Sequence, residues 1–463
     1  MRGLSQRGID LRAIVLAFLL MVLAVYLYLT WGMGESLPIK SGKGINLGPS
    51  GTQVDVDFTG LTRSFSDGAG FYLCTGDGVR RYDNNCQTVW DYPLNFTNPV
   101  FIENNGYVGA SEYKAFTYYA FDDSGLIYTH VFDNEILNFS ISQNGHSTVV
   151  VATDTGYTIN VYNKSGTLLK YFIFQDRFNY PIAADISADG KILVVSFLDT
   201  SQIEMRSSIS AYYLSGDEAI DFKDGLFANF NLAEGQVIST LKFMGPNELL
   251  FVSDRKIGCY RASDQSMELT WAKDINNEIE YIGYLNEMTI AVALGKPIAD
   301  AEGMDEGTLL ITDTDGTVKA TLNEAGNISY LSAGRDTVII GTGMGGRKFS
   351  GLNEEGSLLW EYESTLDIMD IVTLDEPDKV LATGAGKLAI LTRQHGETHE
   401  PVVEPEENAA QEHYEEPAGE PAVNVSAEPA KDPVTEKTDE PDIDIVEEET
   451  GGTNGMETLE PVQ

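Results

Sequence analysis

The sequence predicts an all-β fold, a β-propeller of eight four-stranded blades, and three observations carry that expectation. Between Gly51 and Gln394, short runs of Val, Ile, Tyr, Phe and Thr end at Asp-Gly and Asn-Gly turns, and helical periodicity is almost absent. One phrase recurs along that whole stretch: an apolar strand, then Asp or Asn, two residues, often Gly, and another short strand. Finally, the last repeat offers three strands, while a lone strand, QVDVDF at 53–58, precedes the first repeat. Pairing the two closes a ring.

The elements can be taken in chain order. Residues 1–12 carry Arg2, Arg7 and Arg12 against a single Asp10. Ala13 to Trp31 then holds no charge, and at about 1.5 Å per residue it makes roughly 28 Å of helix. That length nearly spans a hydrocarbon core of about 30 Å. The next charge is Glu35, so the positive-inside rule keeps the N-terminus cytoplasmic and puts the rest outside. Tyr26, Tyr28 and Trp31 crowd one end, where amphipathic rings favour the interface. The run is longer than the apolar region of a cleaved signal peptide, and no Ala-x-Ala site follows it. The expected order is a transmembrane helix at 13–33, a linker at 34–51, a propeller at 52–394 and a tail at 395–463.

The repeating phrase sets the phase of the blades. It reads RRYDNNCQTVW from Arg80, YYAFDDSGLIY from Tyr118, INVYNKSGTLL from Ile159, LLITDTDGTV from Leu309 and FSGLNEEGSLLW from Phe349. Looser copies start at Ser210, Ile257 and Leu388. The residues after the last apolar position are 83, 122, 163, 214, 261, 313, 353 and 392, spaced 39 to 52 apart. Those are blade lengths. A second turn precedes each copy, as at Ser66, Asn104, Gln143 and Ala188, so each unit supplies about four antiparallel strands. Eight phase points give eight blades, or seven if a degenerate unit is an insertion.

From Glu397 to Gln463 the chain holds 21 acidic residues against Lys431 and Lys437, and eight of its 16 prolines. Such a segment buries too little apolar surface to offset its ordering entropy, and is expected to be a disordered acidic tail. The net charge of −41 excludes a phosphate-neutralising surface, so nucleic acid is not an expected partner. Three cysteines, Cys74, Cys86 and Cys259, form neither a disulfide framework nor a zinc ribbon, and read as small buried apolar residues.

The Asp-x-x-Gly turn followed by an apolar strand with Trp, as at Asp83–Trp90 and Asn353–Trp360, resembles the blades of quinoprotein-like (PQQ-type repeat) propellers. The layout of anchor plus propeller is similar to an uncharacterised family of single-pass membrane-anchored propellers of Gram-positive bacteria. The resemblance covers residues 11 to 396 and implies architecture without an activity. Adjacent cysteine pairs of the quinone-dependent alcohol dehydrogenases are missing here, so no cofactor is carried over.

Chemistry is sparse. Of five histidines only His130 and His146 fall in well-formed repeats, and neither a Gly-x-Ser-x-Gly elbow nor a His-Glu-x-x-His pair occurs. Gly341-Thr-Gly-Met-Gly-Gly346 formally matches a dinucleotide fingerprint, but a strand and turn follow where a helix is required, so it reads as a hairpin. The candidate ligand face is the one carrying the longest connections. These are Asp199–Ser208, Lys223–Gln236 with Phe227 and Phe230, and Gly295–Gly307 with Asp300, Glu302, Asp305 and Glu306. The last group offers hard oxygen donors to a cation, or else is a solvated charge run. Tyr92, Phe96, Phe178 and Tyr180 add aromatics on the same face, for stacking on a ligand or for packing between blades.

With no clustered nucleophile, base or metal set, the expected function is a non-enzymatic binding or scaffold module displayed outside the cell membrane. Its expected partners are a cell-surface protein or glycan. The alternative is an extracytoplasmic carbohydrate-active hydrolase or lyase with paired carboxylates at the channel mouth.

Overall fold

The computed structural model describes residues 45–56, 63–214, 225–231, 236–262, 266–298, 303–323, 328–342, 347–364, 367–384 and 386–393. The expected membrane helix at 13–33 and acidic tail at 395–463 lie outside them. Among the described residues no helix is long and apolar enough to cross a membrane.

After an opening strand β1 (Ile45–Asp55), the chain builds blades in order, each strand pairing antiparallel with the next. Blade 1 is β2 (Arg63–Ser66), β3 (Gly70–Thr75), β4 (Gly78–Asp83) and β5 (Thr88–Pro93). Blade 2 is β6 (Pro99–Asn104), β7 (Tyr107–Glu112), β8 (Thr117–Asp122) and β9 (Gly125–Val131). Blade 3 is β10 (Ile136–Ile141), β11 (Ser147–Ala152), β12 (Tyr157–Tyr162) and β13 (Leu168–Phe174). Blade 4 is β14 (Asn179–Ile186), β15 (Ile192–Asp199), β16 (Arg206–Tyr213) and β17 (Leu226–Asn231). Blade 5 is β18 (Ile238–Phe243), β19 (Glu248–Ser253), β20 (Lys256–Ala262) and β21 (Met267–Asp274). Blade 6 is β22 (Asn277–Tyr284), β23 (Thr289–Pro297), β24 (Thr308–Asp313) and β25 (Val318–Asn323). Blade 7 is β26 (Ile328–Gly334), β27 (Thr337–Thr342), β28 (Lys348–Leu352) and β29 (Leu358–Glu363). Blade 8 is β30 (Ile368–Thr373), β31 (Val380–Gly384) and β32 (Lys387–Arg393), completed by β1.

The count is therefore eight, not seven, and the ring closes as expected, by an N-terminal strand on the last blade. Closure begins at Ile45 and ends at Asp55, earlier than the expected 53–58. The INLGPSG stretch reads as linker because of its Gly, Pro and Ser. An outer edge strand tolerates proline, and the register shift between Pro49 and Gln53 absorbs the irregularity. At its start β1 also runs parallel to β29, Ile45 opposite Trp360, which ties blade 8 to blade 7.

The core follows from the pleat. Second strands of the blades, such as STVVVA in β11 and TIAVALGKP in β23, are buried on both faces because each blade is sandwiched between two others. Alternate side chains of one strand then serve two interfaces. Val149 and Val151 pack towards blade 2 and Val150 towards blade 4. Ile290, Val292 and Leu294 pack towards blade 5, and Ala291 and Ala293 towards blade 7. All eight blade-to-blade interfaces hold such a cluster, including the closing one, where Phe71 and Leu73 of blade 1 meet Leu381 and Leu388 of blade 8.

The Asp-x-x-Gly phrase makes the turn between the third and fourth strands. Asn163 Oδ1 accepts from the amides of Ser165 and Thr167, and the residue three places on adopts positive φ. That residue is Gly125, Gly166, Gly316 and Gly356, but Cys86 in blade 1. Cys74, Cys86 and Cys259 are all free and buried.

Candidate binding site

The strands that line the axis carry one recurring irregularity. In blades 3 to 8 the innermost strand has a register shift near its start, immediately before Asn138, Ala183, Thr240, Tyr281, Tyr330 and Asp370. A bulge re-aims its side chain, and here several of them reach the next blade. Asn138 Nδ2 donates to Ile182 O at 2.6 Å, Tyr281 Oη to Ser329 O at 3.0 Å and Tyr330 Oη to Ile371 O at 2.8 Å. Asp370 completes the round by accepting the Ser64 amide of blade 1 at 2.5 Å.

Inside this ring lies an axial cavity of 670 Å³, lined by the innermost strands of all eight blades. Asn105, Gln143, Glu287 and Arg335 place one end of it at the turns between first and second strands, hereafter the AB face. The opposite face, carrying the second-to-third and blade-to-blade connections, is the BC face.

Four acids line the cavity, Glu103, Asp185, Asp370 and Glu287, the last exposed at its AB end. Asp185 is buried, and its two oxygens accept the Ile186 amide at 2.8 Å and the Phe243 amide of blade 5 at 2.7 Å. Burial outweighs those bonds and the nearby Lys242 charge, and pushes its carboxyl up to about 6. Asp370 is likewise buried and raised by burial, with Tyr330 Oη and the Ser64 and Ile371 amides as its donors. Glu103 accepts the Gly106 amide at 2.8 Å and is also raised by burial. Asp185 and Asp370 thereby fasten inner strands of neighbouring blades to one another, while Glu103 holds the turn of its own blade.

Three cations line the same cavity: Arg63, Lys242 and Arg335. Among the described residues none of their side chains forms an ion pair or hydrogen bond. The Lys242 ammonium lies 4.6 Å from the centre of the Tyr284 ring. The Arg335 guanidinium lies against Gly68 of blade 1, so close that a Cβ there would collide with it. Both histidines sit away from the cavity. His130 stacks on Tyr162 at 4.0 Å and faces Gly166 O, and His146 Nδ1 meets Asn144 Oδ1.

Among the described residues, none of those expected from the long connections lines this cavity. Asp300 and Glu302 lie outside the described residues. Asp305 Oδ2 accepts from Asn323 Nδ2 at 3.1 Å, Glu306 is exposed, and Asn277 pins the connection through Gly295 O and Met304 O. Phe227 and Phe230 belong to β17, not to a loop. Phe227 stacks on Tyr213 and Phe230 on Tyr260, because the 223–236 stretch supplies the fourth strand of its blade. Tyr92 and Phe96 pack between blades 1 and 2 against Phe121 and Tyr119. Tyr180 lies near Tyr157 and stays 40% exposed beside Phe178 at 58%.

The BC face has a second feature. Over blades 2 to 4 it exposes Tyr113, Phe116, Val131, Ile173, Phe178, Ile203 and Met205. The loops that carry them are stitched together, Phe132 N to Phe116 O and Thr200 N to Phe178 O, each at 2.8 Å. Single apolar residues are normal on a surface, and here seven large ones share one face of three neighbouring blades.

The inner-strand charges escaped the sequence reading although a signal exists. Acids and bases stand inside otherwise apolar first strands, as in AADI, LKF and IMDIV, and the Arg335-Asp336 turn occupies the place that Asn105-Gly106 fills in blade 2.

Fold and site together define a closed eight-bladed β-propeller with a charged axial cavity. Residues 53–392 match a family described as "Family of unknown function (DUF5711)", and the chain belongs to that family. No curated protein matches it in sequence. Solved structures resemble the chain at low identity. BamB from Moraxella catarrhalis is 13% identical with a TM-score of 0.44, covering 75% of this chain and 99% of that one. The Cps50 (Swd1) β-propeller domain from Myceliophteria thermophila is 10% identical with a TM-score of 0.44, covering 75% and 99%. Kuenenia stuttgartiensis hydrazine synthase is 14% identical with a TM-score of 0.39, covering 74% and 97%.

Proposed function

We propose that this protein is a non-enzymatic binding module, tethered in the cell membrane by its N-terminal helix, whose propeller docks a protein partner outside the cell. The observation that carries the reading is the exposed apolar group on the BC face of blades 2 to 4. Aromatic side chains on stitched loops provide large contact area at a low ordering cost. Both ends of the propeller, Ile45 and Arg393, leave from the AB side, since β1 starts opposite the end of β32. A short tether on that side leaves the BC face turned away from the bilayer, towards proteins. The partner complements an acidic molecule and so carries basic residues around an apolar centre.

The carbohydrate-active alternative needs two carboxyls free to act on a substrate. Of the four cavity acids, Asp185 and Asp370 spend their oxygens on main-chain amides and Tyr330 and Glu103 holds the Gly106 amide, so only Glu287 lacks a hydrogen-bond partner among the described residues, which favours the binding reading.

The test uses the full chain in its own membrane, with a photo-crosslinking residue at Phe178 or Ile203 and, as controls, at Met288 or Val318. Expected is one discrete adduct to a basic protein from the first two positions only. Equal labelling at all four, or adducts to lipid, overturns the docking surface. Turnover of a polysaccharide by the purified chain overturns the non-enzymatic reading, and protease resistance of the propeller on intact cells overturns its location.

A further inference from the structure

The axial cavity shares no lining residue with the apolar group of the BC face, and its chemistry differs from it. Arg63, Lys242 and Arg335 line one space and bring it side chains rich in N–H donors, five on each guanidinium and three on the ammonium. Three of the four acids sharing the lining, Glu103, Asp185 and Asp370, already hold main-chain amides, whereas the cations hold no hydrogen-bond partner among the described residues. A ligand entering the cavity therefore finds donors to satisfy.

The backbone at Arg335 gives a second, independent observation. Arg335 and Asp336 have φ of 51° and 58°, the left-handed region, at the two central positions of the tight turn joining β26 to β27. Blade 2 puts Asn105 and Gly106 at those positions, the pair that such a hairpin turn prefers. Blade 7 instead holds two residues there at a conformational cost and pins the turn by Asn286 Nδ2 to Asp336 Oδ1 at 2.6 Å. Strain of this kind is retained where a side chain has work to do. Its effect is to set the Arg335 guanidinium at the AB end of the cavity, reaching past blade 8 to Gly68 of blade 1.

We propose that the AB end of the axial cavity is a binding site for a small multivalent oxyanion, a polycarboxylate or polyphosphate, held by Arg335 and Lys242 with Arg63 deeper in the channel. The volume of 670 Å³ suits a ligand of that size. Guanidinium recognises the paired oxygens of either group by parallel hydrogen bonds, and the ammonium supplies a point charge. The titratable and charged groups facing the space are Arg63, Glu103, Asp185, Lys242, Tyr284, Glu287, Tyr330, Arg335 and Asp370. Burial raises Glu103, Asp185 and Asp370, so lowering the pH removes negative charge from the lining while the cations persist.

The experiment is calorimetric titration of the detergent-solubilised full chain with citrate and with tripolyphosphate at pH 5.5 and 7.5. Binding of one or both is expected, and which one binds separates carboxylate from phosphate. Arg335→Asn tolerates the turn and is expected to leave or raise the melting temperature while weakening binding about ten-fold or more. Lys242→Met weakens it similarly. Glu103→Gln keeps an acceptor for Gly106, removes a repelling charge and strengthens binding. No heat with either anion, or binding indifferent to Arg335→Asn and Lys242→Met, overturns the site. Neither outcome touches the BC-face reading, whose crosslinks are scored separately.

Discussion

Asp185 shows how one side chain serves two strands and sets a pH response. Its carboxyl takes amides from blades 4 and 5, yet burial holds it at about 6 against an ordinary 3.8. Because the folded value is the higher one, its contribution to stability is fully present below 3.8 and is lost as pH climbs through about 6. At about 1.4 kcal/mol for each tenfold in proton affinity, that contribution is on the order of 3 kcal/mol. Asp185→Asn removes the titration but leaves one of the two amides without its acceptor. The variant therefore melts below the parent at pH 4, and the gap narrows by pH 8, as thermal unfolding of both proteins across that range would show. A gap that widens with pH would refute the buried-acid account. At this scale the turn residues were legible in advance, because Asp83, Asn163 and Asn353 act within their own few residues. Asp185 was not, since its second amide donor, Phe243, lies in another blade.

Between elements, the recurring device is the outer strand of one blade leaning on the turn of the next. Trp90 Nε1 donates to Asp123 O, His130 Nε2 meets Gly166 O, and Trp271 Nε1 donates to Thr314 O at 2.5 Å. The glycine of that turn is required twice over. Gly316 has φ of +88°, and a Cβ there would lie 2.9 Å from the Trp271 ring. Trp271→Ala removes both the bond and the ring's packing on the turn, and is expected to cost about 3 kcal/mol. Urea unfolding measures it, and a loss under about 1 kcal/mol would show that blades 5 and 6 depend on their apolar cluster alone. The turn glycines and the tryptophans were both visible in the sequence as one phrase. Their meeting was not, because the phrase lies within one repeat and the contact joins two. The fourth strand holding Phe227 was hidden for a related reason: the long stretch before it reads as loop until β16 is seen to need an outer neighbour.

For the molecule as a whole, stability rests on closure. The apolar clusters lie between blades, and blade 8 lacks its outer strand unless β1 supplies it. Leu47 packs with Trp360 and Leu391 in that last interface. A chain starting at residue 57 is therefore expected to lose the cooperative unfolding of the parent and to melt at least 10 °C lower, since one or two interfaces loosen together (about 4 °C or less per kcal/mol for a domain this large). A chain ending at residue 397 is expected to melt with the parent, because β32 already ends at Arg393. Calorimetry of both truncations decides between closure and independent blades. Blade number, strand count and the need for closure could be read in advance, because spacing, turn chemistry and alternation are local properties that the chain carries in any conformation. The axial cavity, its cations, the latching acids and the apolar sector of the BC face belong to the folded ring alone. They arise when residues far apart in the chain, such as Arg63, Lys242 and Arg335, are brought round one axis, and no local pattern encodes that meeting.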